Sequence, residues 1–260
     1  MSKHNEACCK RVTSPFSQPS IPPVVHDGYE PKGTYIELGD TKTYVTGPAD
    51  ADKAILSVYD IFGFFPQTIQ GADILAASDT EKKYQVYVPD FFNGKPAPIE
   101  WYPPTDDEKK ANLDKWFKEQ GMWPKHLPRV EGLLEAAQAR NPNIKSWGVI
   151  GYCWGGKMAS ILAGSEQPLF KVAVQTSPAM IDAGDAANVK IPMMLLASKD
   201  ETAGDVAKYD EALKVPKHIE IFEDQVHGFM SARGDLKDDK VKAEYERGYK
   251  LALGFFHDHL

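Results

Sequence analysis

The stretch Trp147-Gly-Val-Ile-Gly-Tyr-Cys-Trp-Gly-Gly-Lys157 decides how this chain is read. An apolar run of strand length passes into Gly151-Tyr152-Cys153-Trp154-Gly155, and a helix is predicted to begin immediately after. This is the strand–turn–helix context of a nucleophile elbow. Small residues are needed two places before and two after Cys153 because the turn is tight. A side chain at either place would collide with the neighbouring strand or helix. The turn exposes residue 153 at the sheet's edge and at the amino end of a helix, where the dipole favours a thiolate. The bland alternative is a small buried cysteine beside a glycine-rich turn.

Outward from the elbow, short apolar runs recur at 54–59, 84–88, 147–150, 171–175, 193–197 and 219–222. Runs apolar on both faces predict parallel strands covered on both sides. Segments 34–38 and 43–46, about the turn-like Gly39-Asp40, predict an opening β-hairpin. Helix-length segments lie between the runs at 67–78, 108–120, 128–140, 157–163, 205–213 and 239–257. In the last, Val241, Tyr245, Tyr249, Ala252 and Phe256 recur at helical spacing, so one face packs on the sheet. Strands alternating with helices predict an open, mostly parallel α/β sheet, with function gathered at the carboxyl ends of its strands. Residues 1–28, polar and proline-rich, are expected to form an extended arm, and residues 29–260 a single domain.

A nucleophile of this type needs a base, and the base an orienting group. In this context the chain order is nucleophile, acid, histidine. Asp200 follows the run 193–197, and His227 follows the run 219–222, on the loop before the last helix. Asp224 is the chief rival for the acid, with Asp182 and Asp185 further off. The loop after the early strand, Ser57-Val-Tyr-Asp-Ile-Phe-Gly63, is where an oxyanion hole takes its second backbone N–H. The expected donors are the amides of Ile61 and Trp154. Asp60, just before the first of these, is in reach of the nucleophile.

Composition narrows the partners. The chain has 260 residues, 42% hydrophobic and 26% charged, which is ordinary globular usage and argues against disorder or a fibre. Thirty Lys+Arg against 37 Asp+Glu gives a net charge of −7. That leaves no global basic field for nucleic acid or an anionic membrane surface. No apolar run reaches the roughly 20 residues that span a bilayer, and the opening residues show no secretory h-region. Three cysteines, with Cys8 and Cys9 adjacent, predict no disulfide framework and a reducing, cytoplasmic setting. Neither metal-ligand spacing nor a glycine-rich nucleotide loop is present, so no metal or cofactor is expected.

Taken together, Asp60-Ile-Phe-Gly63, Pro89-Asp90-Phe-Phe92, Gly151-Tyr-Cys-Trp-Gly-Gly156, Asp200 and His227-Gly-Phe229 resemble the dienelactone hydrolase family of α/β-hydrolases. The resemblance runs from about Tyr29 to Leu260, and the arm with Cys8-Cys9 looks like that of fungal and other eukaryotic members. It implies an α/β-hydrolase fold with helices on both faces of the sheet. It also implies a Cys153–His227–Asp200 triad, and an acidic residue at Asp60 that holds the resting thiol. Bacterial members bind a substrate carboxylate with two arginines, whose places fall here near Gly94 and at Ser231. Lys95 and Arg233 lie close to them in the chain, but neither is a bidentate equivalent by default. The segment Phe91–Pro104 is apolar and aromatic, and Phe91, Trp101, Tyr102 and Trp154 are candidates to line a hydrophobic pocket. The expected partner is a small-molecule lactone or ester, and the expected assembly a monomer or homodimer. The alternative is a non-hydrolytic ligand-binding or redox-sensing module that uses Cys153 as a reactive thiol.

Overall fold

A computed structural model describes residues 20–25 and 28–260. The chain begins with β1 (Thr34–Leu38) and β2 (Thr41–Thr46), then β3 (Lys53–Val58), α1 (Pro66–Ala77) and β4 (Tyr84–Pro89). After a short 3-10 turn at Ile99–Trp101 come α2 (Asp107–Trp116), the brief α3 (Trp123–His126) and α4 (Arg129–Arg140). Then β5 (Ser146–Tyr152), α5 (Trp154–Ala163), β6 (Val172–Thr176), α6 (Ala183–Asn188) and β7 (Met193–Ser198) follow. The chain closes with α7 (Ala203–Ala212), β8 (Lys217–Phe222) and α8 (Asp239–His259). The eight strands form one sheet in the order β1-β2-β4-β3-β5-β6-β7-β8. β1 pairs β2 and β2 pairs β4 antiparallel; every later pair is parallel. With the helices covering it on both faces, this is an α/β-hydrolase fold.

The central strands β3, β4, β5, β6 and β7 are buried almost throughout, as strands covered on both faces must be. Their register sets the site. Val58 of β3 pairs with Gly151 of β5, Tyr152 with Thr176 of β6, and Ser198 of β7 with Phe222 of β8. The residues just past those ends, Asp60, Cys153, Asp200 and the His227 loop, therefore emerge along one edge of the sheet.

Three local readings are corrected. The helix expected over 108–120 ends at Trp116 and opens into a wider turn, Phe117–Gly121. There the Gly121 carbonyl accepts the Trp154 indole N–H at 2.7 Å. A Cβ at Gly121 would lie 2.8 Å from the rings of Trp116 and Phe117. The helix α6 has no counterpart among the expected segments; Asp182 caps it by accepting the Gly184 amide at 2.6 Å. Nor does any expected segment correspond to α3, which the buried His126 closes, with its Nε2 2.6 Å from the Gln120 carbonyl.

The expected arm, with Cys8 and Cys9, lies for the most part outside the described residues. At its described end, Val25 exchanges two hydrogen bonds with the side-chain amide of Gln70 on α1, at 2.8 and 2.9 Å.

Candidate active site

The elbow is built as its glycines require. A Cβ on Gly151 would sit 1.9 Å from the Gly155 carbonyl oxygen, inside the helix start. One on Gly155 would sit 2.0 Å from the Val58 carbonyl oxygen, on the adjacent strand. Between them Cys153 takes φ 52° and ψ −108°, a conformation L residues rarely adopt, and it caps the N-terminus of α5. Its amide donates to Thr176 at 3.0 Å, and its carbonyl accepts from Ala179 at 2.9 Å. The residue is half-buried and is packed against the core cluster.

The loops after β7 and β8 are tied together. The Lys199 amide donates to the Gln225 carbonyl at 3.1 Å, and the His227 amide donates to Oδ2 of Asp200 at 2.8 Å. The imidazole belongs to another carboxylate. Its Nδ1 lies 2.5 Å from Oε1 of Glu201, whose Oε2 accepts the Ser198 amide, also at 2.5 Å. The orienting contact expected of Asp200 is therefore made by its neighbour. Asp200 is exposed and anchors the His227 backbone, whereas the Glu201 side chain is 6% exposed and turns inward beneath the ring. Asp224, the rival, is exposed and accepts from the Gln225 side chain. Asp182 caps α6, and Asp185 pairs with Lys157 at 2.5 Å. Two adjacent carboxylates after β7 were the only sequence signal for Glu201.

Burial alone would lower the His227 pKa. The charge and hydrogen bond of the Cys153 sulfur, reinforced by Glu201, overcome it and raise the value to about 11. The ring thus favours the protonated form, held between a sulfur and a carboxylate. Among the described residues, no acceptor within the protein takes the Ile61 amide. Trp154 opens α5, so its amide has no intrahelical partner. Both expected oxyanion donors are thus unspent. The Ile61 carbonyl accepts the Ala97 amide at 2.8 Å, which fixes the peptide that follows it.

Asp60 is placed differently from the implied thiol-holding role. Its Oδ1 accepts the Phe62 amide at 2.9 Å, and its Oδ2 accepts the Ala232 amide at 3.1 Å.

The pocket candidates divide. Tyr102 and Arg233 flank the site: the Tyr102 ring centroid is 6.3 Å from the imidazole, and the Arg233 guanidinium lies 4.7 Å from the Tyr102 centroid. Arg233 also donates to the His227 carbonyl at 2.8 Å. Trp101, half-buried, packs on the core from the same segment. Phe91 and Trp154 are fully buried and pack on each other and on His126, so neither offers a surface to substrate. The Lys95 side chain is exposed; its carbonyl accepts the Trp116 indole N–H at 2.9 Å, and its amide donates to the Phe92 carbonyl at 3.1 Å. At the places of the bacterial arginines, Gly94 donates its amide to Asp90, and Ser231 is fully buried. The Pro89-Asp90-Phe91-Phe92 stretch is structural: Asp90 accepts the Tyr59 hydroxyl at 2.7 Å and the amides of Phe92 and Gly94.

No helix among the described residues is long and apolar enough to cross a membrane. Also among them, no three His, Cys, Asp or Glu side chains cluster as a metal site would need.

Known proteins carry the same architecture. A dienelactone hydrolase from Anabaena variabilis superposes with a TM-score of 0.62 at 15% identity, over 94% of this chain and 100% of that one. An uncharacterised AIM2 family protein of Schizosaccharomyces pombe is 33% identical over 235 residues, 88% of this chain and 92% of the relative. A carboxymethylenebutenolidase homologue of Xenopus tropicalis is 28% identical over 241 residues, 89% and 93% of the two chains. The family model described as the dienelactone hydrolase family matches residues 41–260, nearly the whole described domain, and the chain is a hydrolase belonging to that family.

Proposed function

We propose that the chain hydrolyses lactones or activated carboxylic esters through an acyl-enzyme on Cys153. The observation that carries this reading is the His227 imidazole, 2.5 Å from Glu201 through Nδ1 and close enough to Cys153 for the sulfur's charge to raise its pKa.

The thiolate attacks the carbonyl carbon, and the oxyanion takes hydrogen bonds from the Ile61 and Trp154 amides. Such donors are typically worth about 3 kcal/mol each in the transition state. When the tetrahedral adduct collapses, the C–O bond breaks and the leaving alkoxide or enolate takes the proton from His227 Nε2. Water then attacks the thioester while Nε2 takes a proton back, and the thiolate departs with release of the carboxylic acid. Glu201 holds the Nδ1 proton throughout, which fixes the tautomer and offsets the ring's charge. Thiolates leave easily, so simple amides are poor substrates and enol esters or enol lactones good ones.

The rim favours an apolar substrate over a carboxylate-bearing one. Tyr102 meets the buried Phe62 ring edge-on at 6.3 Å, and the guanidinium of Arg233 is already engaged by a carbonyl and a ring. Dienelactone itself, an anion, is therefore not the substrate we favour. We place the enzyme in a reducing cytoplasm, a setting supported by the low cysteine usage, and expect a monomer or homodimer.

Cys153→Ala and Cys153→Ser are assayed with p-nitrophenyl acetate and a panel of enol lactones. Both are expected to lose turnover; hydrolysis surviving in the alanine variant removes the nucleophile assignment. Sulfenic acid formation at Cys153 in a wild-type protein that turns over no ester would favour the redox-sensing alternative.

A further inference from the structure

Asp60 lies between the two halves of the site. Its carboxylate is buried, at 2% exposure, and bonded by two loops that are distant in sequence. The Phe62 amide comes from the oxyanion loop, one residue past Ile61. The Ala232 amide comes from the loop carrying His227, five residues past the histidine and 172 residues from Asp60. The Ser231 hydroxyl, which donates to the Gly228 carbonyl at 3.3 Å, is near enough to lower the pKa of the same group. Burial raises the Asp60 pKa above its ordinary value, and these three partners and the His227 charge offset only part of that rise. Among the described residues no hydrogen bond joins this carboxylate to the Cys153 sulfur.

An oxyanion donor and a base on separate loops must be held within about 0.5 Å of their working geometry. Misplacement by about 1 Å costs on the order of 100-fold in rate. A carboxylate with one oxygen on each loop is a short, rigid cross-link that meets this need. The carbonyl of the donor peptide, that of Asp60, accepts the Gly63 amide at 3.3 Å, and the Ala97 amide holds the peptide that follows it. We propose that Asp60 is a positioning residue that locks the Ile61 amide to the His227 loop, and that it does not hold the Cys153 thiol. The inference rests on the reading of Cys153 as the nucleophile.

Asp60→Asn preserves shape but offers one carbonyl acceptor and turns an NH2 toward the other amide. With p-nitrophenyl acetate its kcat falls about 10–100-fold while KM changes less than about threefold. Alkylation of Cys153 by iodoacetamide, followed from pH 5 to 9, superimposes on the wild type. Amide hydrogen exchange shows Phe62 or Ala232 losing protection, whereas the Cys153 amide on Thr176 keeps its own. Faster alkylation, a displaced alkylation profile or an unchanged kcat overturns the proposal, since the first two are the signature of a released thiol. Should the wild type hydrolyse no ester, the nucleophile reading fails by itself. The cross-link is then decided by exchange, and full protection of both amides in Asp60→Asn sinks it. Should Asp60→Asn not fold, Ser231→Ala keeps both backbone bonds to Asp60 and removes the hydroxyl that lies beside it and donates to the Gly228 carbonyl. A kcat lowered threefold or more with unaltered alkylation supports the lock, and an unaltered kcat overturns it.

Discussion

Glu201 Oε1 stands 2.5 Å from His227 Nδ1, while the adjacent Asp200 reaches only the His227 backbone amide, at 2.8 Å. Glu201 thus sets the ring, and Asp200 sets the loop that carries it. Glu201 is itself fixed from behind by the Ser198 amide at the end of β7, so its position is dictated by the sheet.

That division predicts unequal losses. Glu201→Gln leaves the ring in the wrong tautomer or unheld, and kcat should fall about 100- to 10,000-fold. Asp200→Asn can still accept the backbone amide through its carbonyl, and kcat should fall about 10-fold or less. Steady-state hydrolysis of p-nitrophenyl acetate by both variants decides between them, and the opposite order would return the orienting role to Asp200.

The charge on His227 has a defined pH window. Its folded value, about 11, lies above the ordinary 6.5, so the protonated ring stabilises the folded state. That contribution is fully present below about pH 6.5 and fades as pH rises toward 11. The imidazole resonances should report a protonated ring at pH 8, and Glu201→Gln should bring the midpoint down. The Tm advantage of the wild type over that variant should be larger at pH 6.5 than at pH 10. A ring that titrates near 6.5 in the wild type would defeat the prediction.

The elbow is legible in the sequence because its constraint is steric. Gly151 and Gly155 each sit about 2 Å from backbone oxygen at the place of a missing Cβ, and no other residue type fits. The placement of the chemistry along the sheet edge follows from the same alternation of strands and helices. The choice between Asp200 and Glu201 is not legible, because it turns on how one tight turn aims two neighbouring carboxylates. Phe91 begins an apolar, aromatic segment and Trp154 follows the elbow cysteine, which makes both pocket candidates in the sequence. Their rings fold inward instead, against His126, whose own burial no local spacing announces.

Gly155→Ala follows from the close approach of β3. Its Cβ would press on the Val58 and Tyr59 carbonyl oxygens, at 2.0 and 2.7 Å, and backbone there has no room to move. Destabilisation of about 3 kcal/mol or more is expected, at or above the usual overpacking cost. Urea unfolding checks it. A change under about 1 kcal/mol, the low end of that cost, would show that the elbow is looser than its contacts state.

Arg233 offers a test of substrate charge. Its guanidinium is engaged by the His227 carbonyl and the Tyr102 ring. Arg233→Met keeps most of the stem's packing and removes both engagements. If the arginine serves only the protein, KM for a neutral ester and for its carboxylate-bearing analogue should change by the same factor, within about threefold. Meanwhile kcat should fall for both as the His227 loop loosens. A KM that rises tenfold or more for the anionic ester alone would mean that the guanidinium leaves Tyr102 to bind substrate, and the preference for apolar esters would have to be abandoned.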